Sequence, residues 1–160
     1  MDSEARKQLL RKIGYGLYVA TASSDEEAAA AAVSWVSQVS FEPCLVMVAI
    51  RTDSTLNRVV QKAGGLAINL ISASQKDLAA SFFRSARVEG GTINGHAFEN
   101  GPETGAPILS DLPGWLELKV VQIFQPGDHT LYLTQVVGAG MRDASATPLL
   151  LPETGWSYGG

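Results

Sequence analysis

Hydrophobic and polar residues alternate along residues 33–41, and this period of two predicts a β-strand with one polar face. Residues 45–50 form a continuous apolar run, which is typical of a strand buried on both faces. Between these stretches, Pro43 interrupts the ladder because it has no N–H to donate. Residues 51–55 are polar or charged, and apolar residues then recur at helical spacing until Gly64. The pattern predicts a polar strand, a turn, a buried strand, a polar loop and a helix, in that order.

Five consecutive alanines at positions 28–32 allow two interpretations. Their intrinsic propensity favours a helix, whereas the strand-like residues 16–22 before them and 33–41 after them favour a strand. We expect a hairpin across the polar turn at residues 23–27, with the alanines continuing unbroken into the strand that ends at Phe41. Small side chains on this strand would let a flat molecule approach the sheet closely; close packing of a neighbouring helix is the alternative.

The remaining residues add more β pattern and two further helices. A charged amphipathic helix is predicted near the start of the chain, and another follows a capping box formed by Ser74 and Asp77. Further strands are predicted at residues 66–71, 115–124 and 129–137, the last two joined by a turn. Residues 84–110 are glycine-rich and aperiodic, which predicts a long loop that covers a site, or else disorder. Residues 138–146 are also predicted as loop.

Six or seven strands with about three helices, joined mostly as hairpins, predict one mainly β domain over residues 1–160. Such a sheet buries one face either by closing into a barrel or by packing as a sandwich. We favour a small β-barrel with flanking helices. The hydrophobic content of 46% and charged content of 18% fit a compact fold of this kind.

Charge and cysteine content limit the partners and the cellular compartment that we expect for this protein. The net charge of −4 and the scattered basic residues disfavour nucleic acid or acidic lipid as a partner. No apolar run reaches the roughly 18 residues of a membrane helix, and the charged first residues lack a signal-peptide layout, so we expect a cytoplasmic protein with no membrane partner. The single cysteine, Cys44, excludes an internal disulfide and fits a reducing compartment. Its place at the start of an apolar strand predicts a buried, inert thiol.

Motifs that would identify a self-sufficient enzyme are missing. The sequence has no P-loop, no dinucleotide glycine fingerprint and no Gly-x-Ser-x-Gly elbow, and its two histidines are too few for a usual zinc site. A cofactor would therefore carry the reactivity of an enzymatic function. The polar loop before the second helix suits an anion such as phosphate, although spacing alone favours plain helix capping by Asp53 or Ser54. His129, beside Asp128, is the best acid/base candidate, although by itself a solvated turn histidine is the simpler interpretation.

Four segments, in this order, resemble the flavin reductase-like, FMN-binding split-barrel family. They are residues 16–22 (GLYVATA), 33–46 (VSWVSQVSFEPCLV), 67–71 (AINLI) with the helix that follows, and 127–137 (GDHTLYLTQVV). The second corresponds to the family's Ser-x-Val-Ser-x-x-Pro-Pro-Leu-Val, and the fourth contains its Gly-Asp-His. Cys44 replaces the second proline of that pattern, and Thr134 replaces a glycine. The resemblance spans nearly the whole chain.

This resemblance implies a split barrel that binds FMN, or FAD, and uses NAD(P)H as co-substrate. His129 matches the family's histidine near the nicotinamide and becomes the implied catalytic residue. The strand at residues 33–40 would line the flavin ring, and the loop at residues 51–57 would hold the phosphate and ribityl chain. The residues implied to bind the cofactor are Val33, Ser34, Trp35, Ser37, Gln38, Val39, Ser40, Ile50, Arg51, Thr52, Ser54, Thr55, Asn57 and Phe83. The family also implies a homodimer.

The leading hypothesis is an oxidoreductase that transfers hydride from NAD(P)H to FMN and passes electrons to a redox partner protein, or releases diffusible reduced flavin. The alternative is a non-catalytic flavin- or haem-binding split-barrel module for electron transfer or sensing. The ending at residues 154–159 resembles a subset of the family found alone or as a module of larger flavodiiron proteins. A third hypothesis is a structural barrel that only dimerises and binds no cofactor.

Overall fold

A computed structural model describes every residue of the chain, Met1–Gly160. The helices are α1 (Ser3–Arg11), α2 (Thr55–Ala63) and α3 (Lys76–Ser81), with 3-10 turns at Ala73–Gln75 and Leu151–Thr154. The strands are β1 (Tyr18–Ser23), β2 (Ala28–Val33), β3 (Val36–Ser40), β4 (Leu45–Arg51), β5 (Gly65–Leu70), β6 (Val88–Glu89), β7 (Thr92–Ile93), β8 (His96–Asn100), β9 (Pro107–Leu109), β10 (Gly114–Phe124) and β11 (His129–Met141). None of the helices has the length and apolar character needed to cross a membrane.

Seven strands form the main sheet in the order β2-β1-β5-β10-β11-β4-β3, and every pairing is antiparallel. The sheet curls into a half-barrel, which confirms the predicted mainly β split barrel with flanking helices. The hairpin predicted across residues 23–27 is also confirmed, because β1 pairs with β2 along its whole length.

The split in the barrel lies at Ser34 and Trp35. Strands β2 and β3 are consecutive in the chain but form opposite edges of the sheet, so these two residues cross from one edge to the other. The Trp35 carbonyl accepts a hydrogen bond from Ala49 N at 3.0 Å, which ties the crossing to β4. The single unbroken strand predicted up to Phe41 is therefore wrong, since an alternating pattern does not specify which partner each half of it pairs with.

Helix α2 closes the inside of the half-barrel. Its apolar residues Leu56, Val59 and Val60 are buried against the inward faces of the sheet, at the i, i+3, i+4 spacing of a helix with one apolar face. Gly64 ends the helix in the left-handed conformation (φ 68°), with its N–H donating to the Val60 carbonyl, as is common at helix C-termini. This places the N-terminus of α2 beside the end of β4, where the polar loop lies.

Several local predictions are wrong for identifiable reasons. Residues 84–110 contain the four-stranded sheet β6-β7-β8-β9, whose strands of two to five residues are too short to show a period. The capping box involves Ser72 and Gln75 instead of Ser74 and Asp77. Cys44 is exposed, not buried, because it lies in the turn before β4.

Strand β11 continues to Met141 through residues predicted as loop. Gly138 and Gly140 occupy positions where a Cβ atom would collide with the side chains of Glu117 and Trp115 on the paired strand. Glycine at these two positions marks close packing within the sheet, not a turn.

The carboxylate of Glu117 is buried, and it organises the loop before β9. Its side chain is 1% exposed, and its Oε1 accepts hydrogen bonds from Thr104 N and Thr104 Oγ1, both at 2.9 Å, and from Glu103 N at 3.1 Å. We expect Glu117→Ala to lower the free energy of unfolding by about 2 kcal/mol, because it leaves three partly buried donors without an acceptor. Urea denaturation measures this change.

The matched control is Glu103→Ala in the same loop. Glu103 is exposed and contributes only its backbone N–H to the Glu117 carboxylate, so its side chain should matter by less than about 0.5 kcal/mol. Equal losses for the two variants would show that the Glu117 hydrogen bonds do not hold this loop.

Candidate active site

A cavity of about 510 Å³ opens at the split in the barrel, a volume within the range typical of small-molecule sites. Its residues come from the crossing between β2 and β3, the end of β4, the end of α3 and the last turn of the chain. They are Leu17, Ala31, Ala32, Val33, Ser34, Trp35, Ala49, Ile50, Arg51, Ser54, Phe82, Phe83, Leu151, Trp156, Ser157 and Tyr158. Most of them are apolar, so the cavity suits a flat hydrophobic ring with a few polar atoms.

Two polar atoms at this cavity have no partner in the protein. Ser34 Oγ and Trp35 Nε1 are both buried without a hydrogen bond, and both residues line the cavity. An unsatisfied buried polar group is costly unless a ligand or water completes it. The crossing between the sheet edges therefore leaves one hydroxyl and one N–H donor unpaired in residues that line the cavity. A heteroaromatic ring with carbonyl and nitrogen atoms on its edge would suit such donors.

The polar loop after β4 borders the same cavity. Ser54 is the N-cap of α2, and its Oγ accepts a hydrogen bond from Asn57 N at 3.1 Å, which confirms capping at this position. The next two amides, of Thr55 and Leu56, have no acceptor in the fold, as expected at a helix N-terminus. Arg51 pairs with Asp53 at 2.7 Å with both side chains largely exposed, and this hydrogen bond holds the pKa of Asp53 below its ordinary value. The guanidinium could exchange this exposed partner for a ligand anion.

Asn57 supports the loop from beneath. It is 4% exposed, and its Nδ2 donates to the Thr52 carbonyl at 3.1 Å. Its Oδ1 accepts a hydrogen bond from the buried Tyr132 hydroxyl at 2.6 Å. The loop that carries Arg51 and Ser54 is therefore attached to the core of the half-barrel, which fixes its position relative to the cavity.

A second cavity of about 380 Å³ adjoins the first and contains His129. Its walls are Trp35, Arg51, Thr52, Asp53, Asp128, His129, Tyr158 and Gly159, so Trp35, Arg51 and Tyr158 border both cavities. The His129 ring lies against Trp35, with ring centroids 4.5 Å apart. This arrangement would place two ligands side by side, one in each cavity, with Trp35, Arg51 and Tyr158 between them.

His129 is hydrogen-bonded at both ring nitrogens. Nδ1 lies 2.7 Å from Asp128 Oδ1, and Nε2 lies 2.7 Å from the Tyr158 hydroxyl. The hydrogen bond from His129 lowers the pKa of Asp128. This carboxylate therefore stays ionised and accepts a hydrogen bond from the Nδ1–H group. Burial raises the pKa of Tyr158, so its hydroxyl stays protonated and can share a hydrogen bond with Nε2. The two hydrogen bonds hold the imidazole in one orientation.

Comparison with known proteins identifies the fold and the family. Residues 10–156 match the family described as flavin reductase like domain. The chain belongs to the flavin reductase-like family. The resemblance drawn from the sequence is thus confirmed.

Individual members of the family are similar over most of the chain. The NADH-dependent FMN reductase AsuE2 of Streptomyces nodosus subsp. asukaensis is 30% identical over 135 residues, which cover 84% of this chain and 73% of that protein. The NADH:FMN oxidoreductase of Rhodococcus qingshengii is 33% identical over 147 residues, covering 90% and 75%. The structure of flavin reductase PheA2 superposes with a TM-score of 0.78 at 26% identity, covering 94% of this chain and 93% of PheA2.

Longer members also contain this domain. Diflavin flavoprotein A 1 of Synechocystis sp. is 28% identical over 144 residues, which cover 90% of this chain but 25% of that protein. The flavin reductase-like domain therefore occurs as one part of a larger protein as well as in shorter proteins.

The fold brings many of the sequence-predicted residues of this flavin reductase-like domain together. Those that border the first cavity are Val33, Ser34, Trp35, Ile50, Arg51, Ser54 and Phe83. Thr52 and the implied catalytic residue His129 border the second cavity. The role of each in binding or catalysis stays a prediction.

Other predicted residues lie outside both cavities. Ser37, Gln38, Val39 and Ser40 belong to the edge strand β3, beyond the crossing, and most of them are exposed. Thr55 is exposed at the start of α2, and Asn57 is buried beneath the loop. Any contact of these residues with a flavin remains a prediction.

The last turn of the chain contributes residues that were not predicted. Trp156 packs edge-on against Phe83 at 4.7 Å between ring centroids, and Lys76 Nζ lies 4.8 Å above the Trp156 ring. Tyr158 contacts Trp35 as well as His129. Two aromatic residues among glycines at the end of the sequence were the available signal. Nothing local indicated that they return to residues far earlier in the chain.

Proposed function

We propose that this protein is an NADH-dependent flavin reductase, an oxidoreductase that takes FMN or FAD. The observation that carries the proposal is the apolar cavity with two unpartnered donors, Ser34 Oγ and Trp35 Nε1, directly beside a second cavity that contains His129. Relatives named as NADH-dependent reductases of FMN or of FAD support both the chemistry and the choice of NADH.

The first cavity would hold the flavin ring. Trp35 Nε1 can donate to a ring carbonyl, and Ser34 Oγ can donate or accept at the ring edge, while the alanines and Phe83 supply apolar walls. Arg51, Ser54 and the free amides at the start of α2 would meet the phosphate. A bound flavin supplies the two-electron redox chemistry, since its ring accepts a hydride from the nicotinamide.

The second cavity would hold the nicotinamide end of NADH. Asp128 fixes His129 through Nδ1, so that Nε2, which bonds to the Tyr158 hydroxyl, is the ring nitrogen left for a ligand. At that atom His129 can donate to or accept from the bound nicotinamide and so orient it toward the first cavity. Hydride transfer between two bound rings depends largely on how the rings are positioned. His129 can therefore contribute by orienting the nicotinamide, without a covalent bond to it.

A homodimer, in a reducing cytoplasmic setting, is part of the proposal. Inside the half-barrel, Val48 and Tyr132 are fully buried. Because successive strand residues alternate in direction, Met47, Leu131 and Leu133 point outward, and Phe124, opposite Leu131, is 44% exposed. A second copy of the chain would cover this apolar outer face. Sedimentation analysis is expected to give twice the chain mass of 16.9 kDa; a monomer at micromolar concentration would contradict the dimer.

A second candidate is a flavin-binding electron-transfer module. The match to one quarter of a diflavin flavoprotein favours it. In that case flavin would bind in the same cavity, but NADH would not reduce it in the isolated chain. Electrons would come from another domain or a redox partner protein instead.

Two measurements on the purified protein separate these functions. Flavin is titrated while its fluorescence is followed, and NADH absorbance is then recorded with FMN and, separately, with FAD. Reductase function predicts saturable flavin binding and NADH oxidation that depends on flavin. Flavin binding without NADH oxidation would favour the module, and a chain that binds neither flavin would overturn both functions.

A further inference from the structure

The segment of residues 156–160, here named the closing segment, lies between the two cavities. Tyr158 borders both of them, and its ring packs edge-on against Trp35 at 5.3 Å between centroids. Gly159 follows with φ 77° and lies so near Trp35 that a Cβ atom there would be 3.0 Å from the indole ring. The closing segment and Trp35 together form the wall that separates the sites proposed for flavin and for nicotinamide.

Hydride transfer requires that the part of this wall formed by Tyr158 be removed. Reacting atoms must approach to about 3–3.5 Å, and the Tyr158 side chain stands between the two cavities. The hydroxyl of the same side chain lies 2.7 Å from Nε2 of His129, the one ring nitrogen that Asp128 does not occupy. A nicotinamide cannot contact that atom until Tyr158 leaves it.

The closing segment is attached firmly at one end and weakly at the other. At Trp156 it is held by the Phe83 ring, by Lys76 and by the bond from Trp156 N to Thr154 Oγ1 at 2.9 Å. Beyond Trp156, no backbone N–H of the segment forms a hydrogen bond, and the Gly159 carbonyl accepts one long bond of 3.4 Å from Arg11 Nε. Moving residues 157–160 outward therefore breaks few hydrogen bonds, namely those of Tyr158 with His129 and of Gly159 with Arg11.

We propose that Tyr158 occupies the place of the nicotinamide against His129 and that the closing segment must swing outward before NADH binds productively. This inference rests on the proposed reductase function. Tyr158 competes with the nucleotide for His129. The fraction of molecules in which the closing segment is open therefore sets the apparent affinity for the nucleotide. Apolar contacts in the first cavity let flavin bind whether or not the Tyr158 hydroxyl bond is made.

The variant Tyr158→Phe tests this competition, because it removes the hydroxyl and keeps the ring. A hydrogen bond of ordinary net strength corresponds to about threefold to tenfold in an equilibrium. We expect the Kd of oxidised NAD for the flavin-loaded protein, measured by changes in the flavin spectrum, to fall by about that factor, and the KM for NADH to fall in parallel. The Kd for FMN should change by less than about twofold.

Tyr15→Phe is the matched control, since Tyr15 also faces Trp35, at 6.4 Å between centroids, but forms no bond with His129. It should leave nucleotide affinity unchanged. An unchanged or raised Kd for NAD in Tyr158→Phe would overturn the inference, since Tyr158 would then be neutral or a direct contact of the nucleotide. If the wild-type protein binds NAD but does not oxidise NADH, the proposed function fails, whereas the competition is still measured by the Kd.

Discussion

Replacement of His129 by alanine is expected to slow the reduction of bound flavin by NADH about a hundredfold, a loss typical of removing a positioned acid/base or hydrogen-bonding group. His129 is fixed by Asp128 on one side and faces the second cavity on the other, so it acts on the nucleotide and not on flavin affinity. Stopped-flow recording of flavin absorbance at saturating NADH measures the rate. Saturation is needed because the loss of His129 also frees Tyr158 and so changes the apparent affinity for NADH.

The chain offers its other histidine as a control. His96 lies in the four-stranded sheet, where its Nε2 is 3.2 Å from Ser81 Oγ, and it borders neither cavity. His96→Ala should keep the wild-type rate once the protein is shown to be folded. A His129→Ala enzyme that reduces flavin as fast as the wild type would exclude His129 from the mechanism.

Ser54→Asp is expected to weaken FMN binding about a hundredfold. Aspartate is as good an N-cap as serine and its charge favours a helix N-terminus, so α2 and the fold should keep their stability. The same charge would lie beside the position proposed for the phosphate. Two like charges about 5 Å apart repel by about 3 kcal/mol at an effective dielectric constant of about 20. Fluorescence titration with FMN gives the affinity, and thermal denaturation of the flavin-free protein gives the stability.

Ser54→Asn separates charge from shape, because asparagine also caps helices but is neutral. Its FMN affinity should stay within a few-fold of the wild type. If Ser54→Asp binds FMN as tightly as Ser54→Asn, the flavin phosphate does not meet the start of α2, and Ser54 would be a helix cap alone.

The local pattern of the sequence determined the elements with long, regular periods. The continuous apolar run became β4, the helical spacing after residue 55 became α2, and the two long strands joined by a turn became β10 and β11. The polar loop between β4 and α2 was also evident, because five polar residues between two apolar elements can only lie at a surface or a site. These features depend on residues that are close together in the sequence, because hydrophobic periodicity and helix capping are both determined by nearby residues.

Only the tertiary structure decided which side chains face the cavity. The alternation of residues 33–41 is equally compatible with one strand or two, and the crossing at Ser34 and Trp35 exists because the curled sheet joins its two edges there. The exposure of Cys44 and the return of Tyr158 to His129 likewise depend on residues far apart in sequence. A period of two specifies a strand with two different faces, but not which strands it pairs with. Closure of the barrel depends on contacts between residues far apart in the chain. The sequence by itself therefore located the polar loop, whereas the tertiary structure decided which residues line the site.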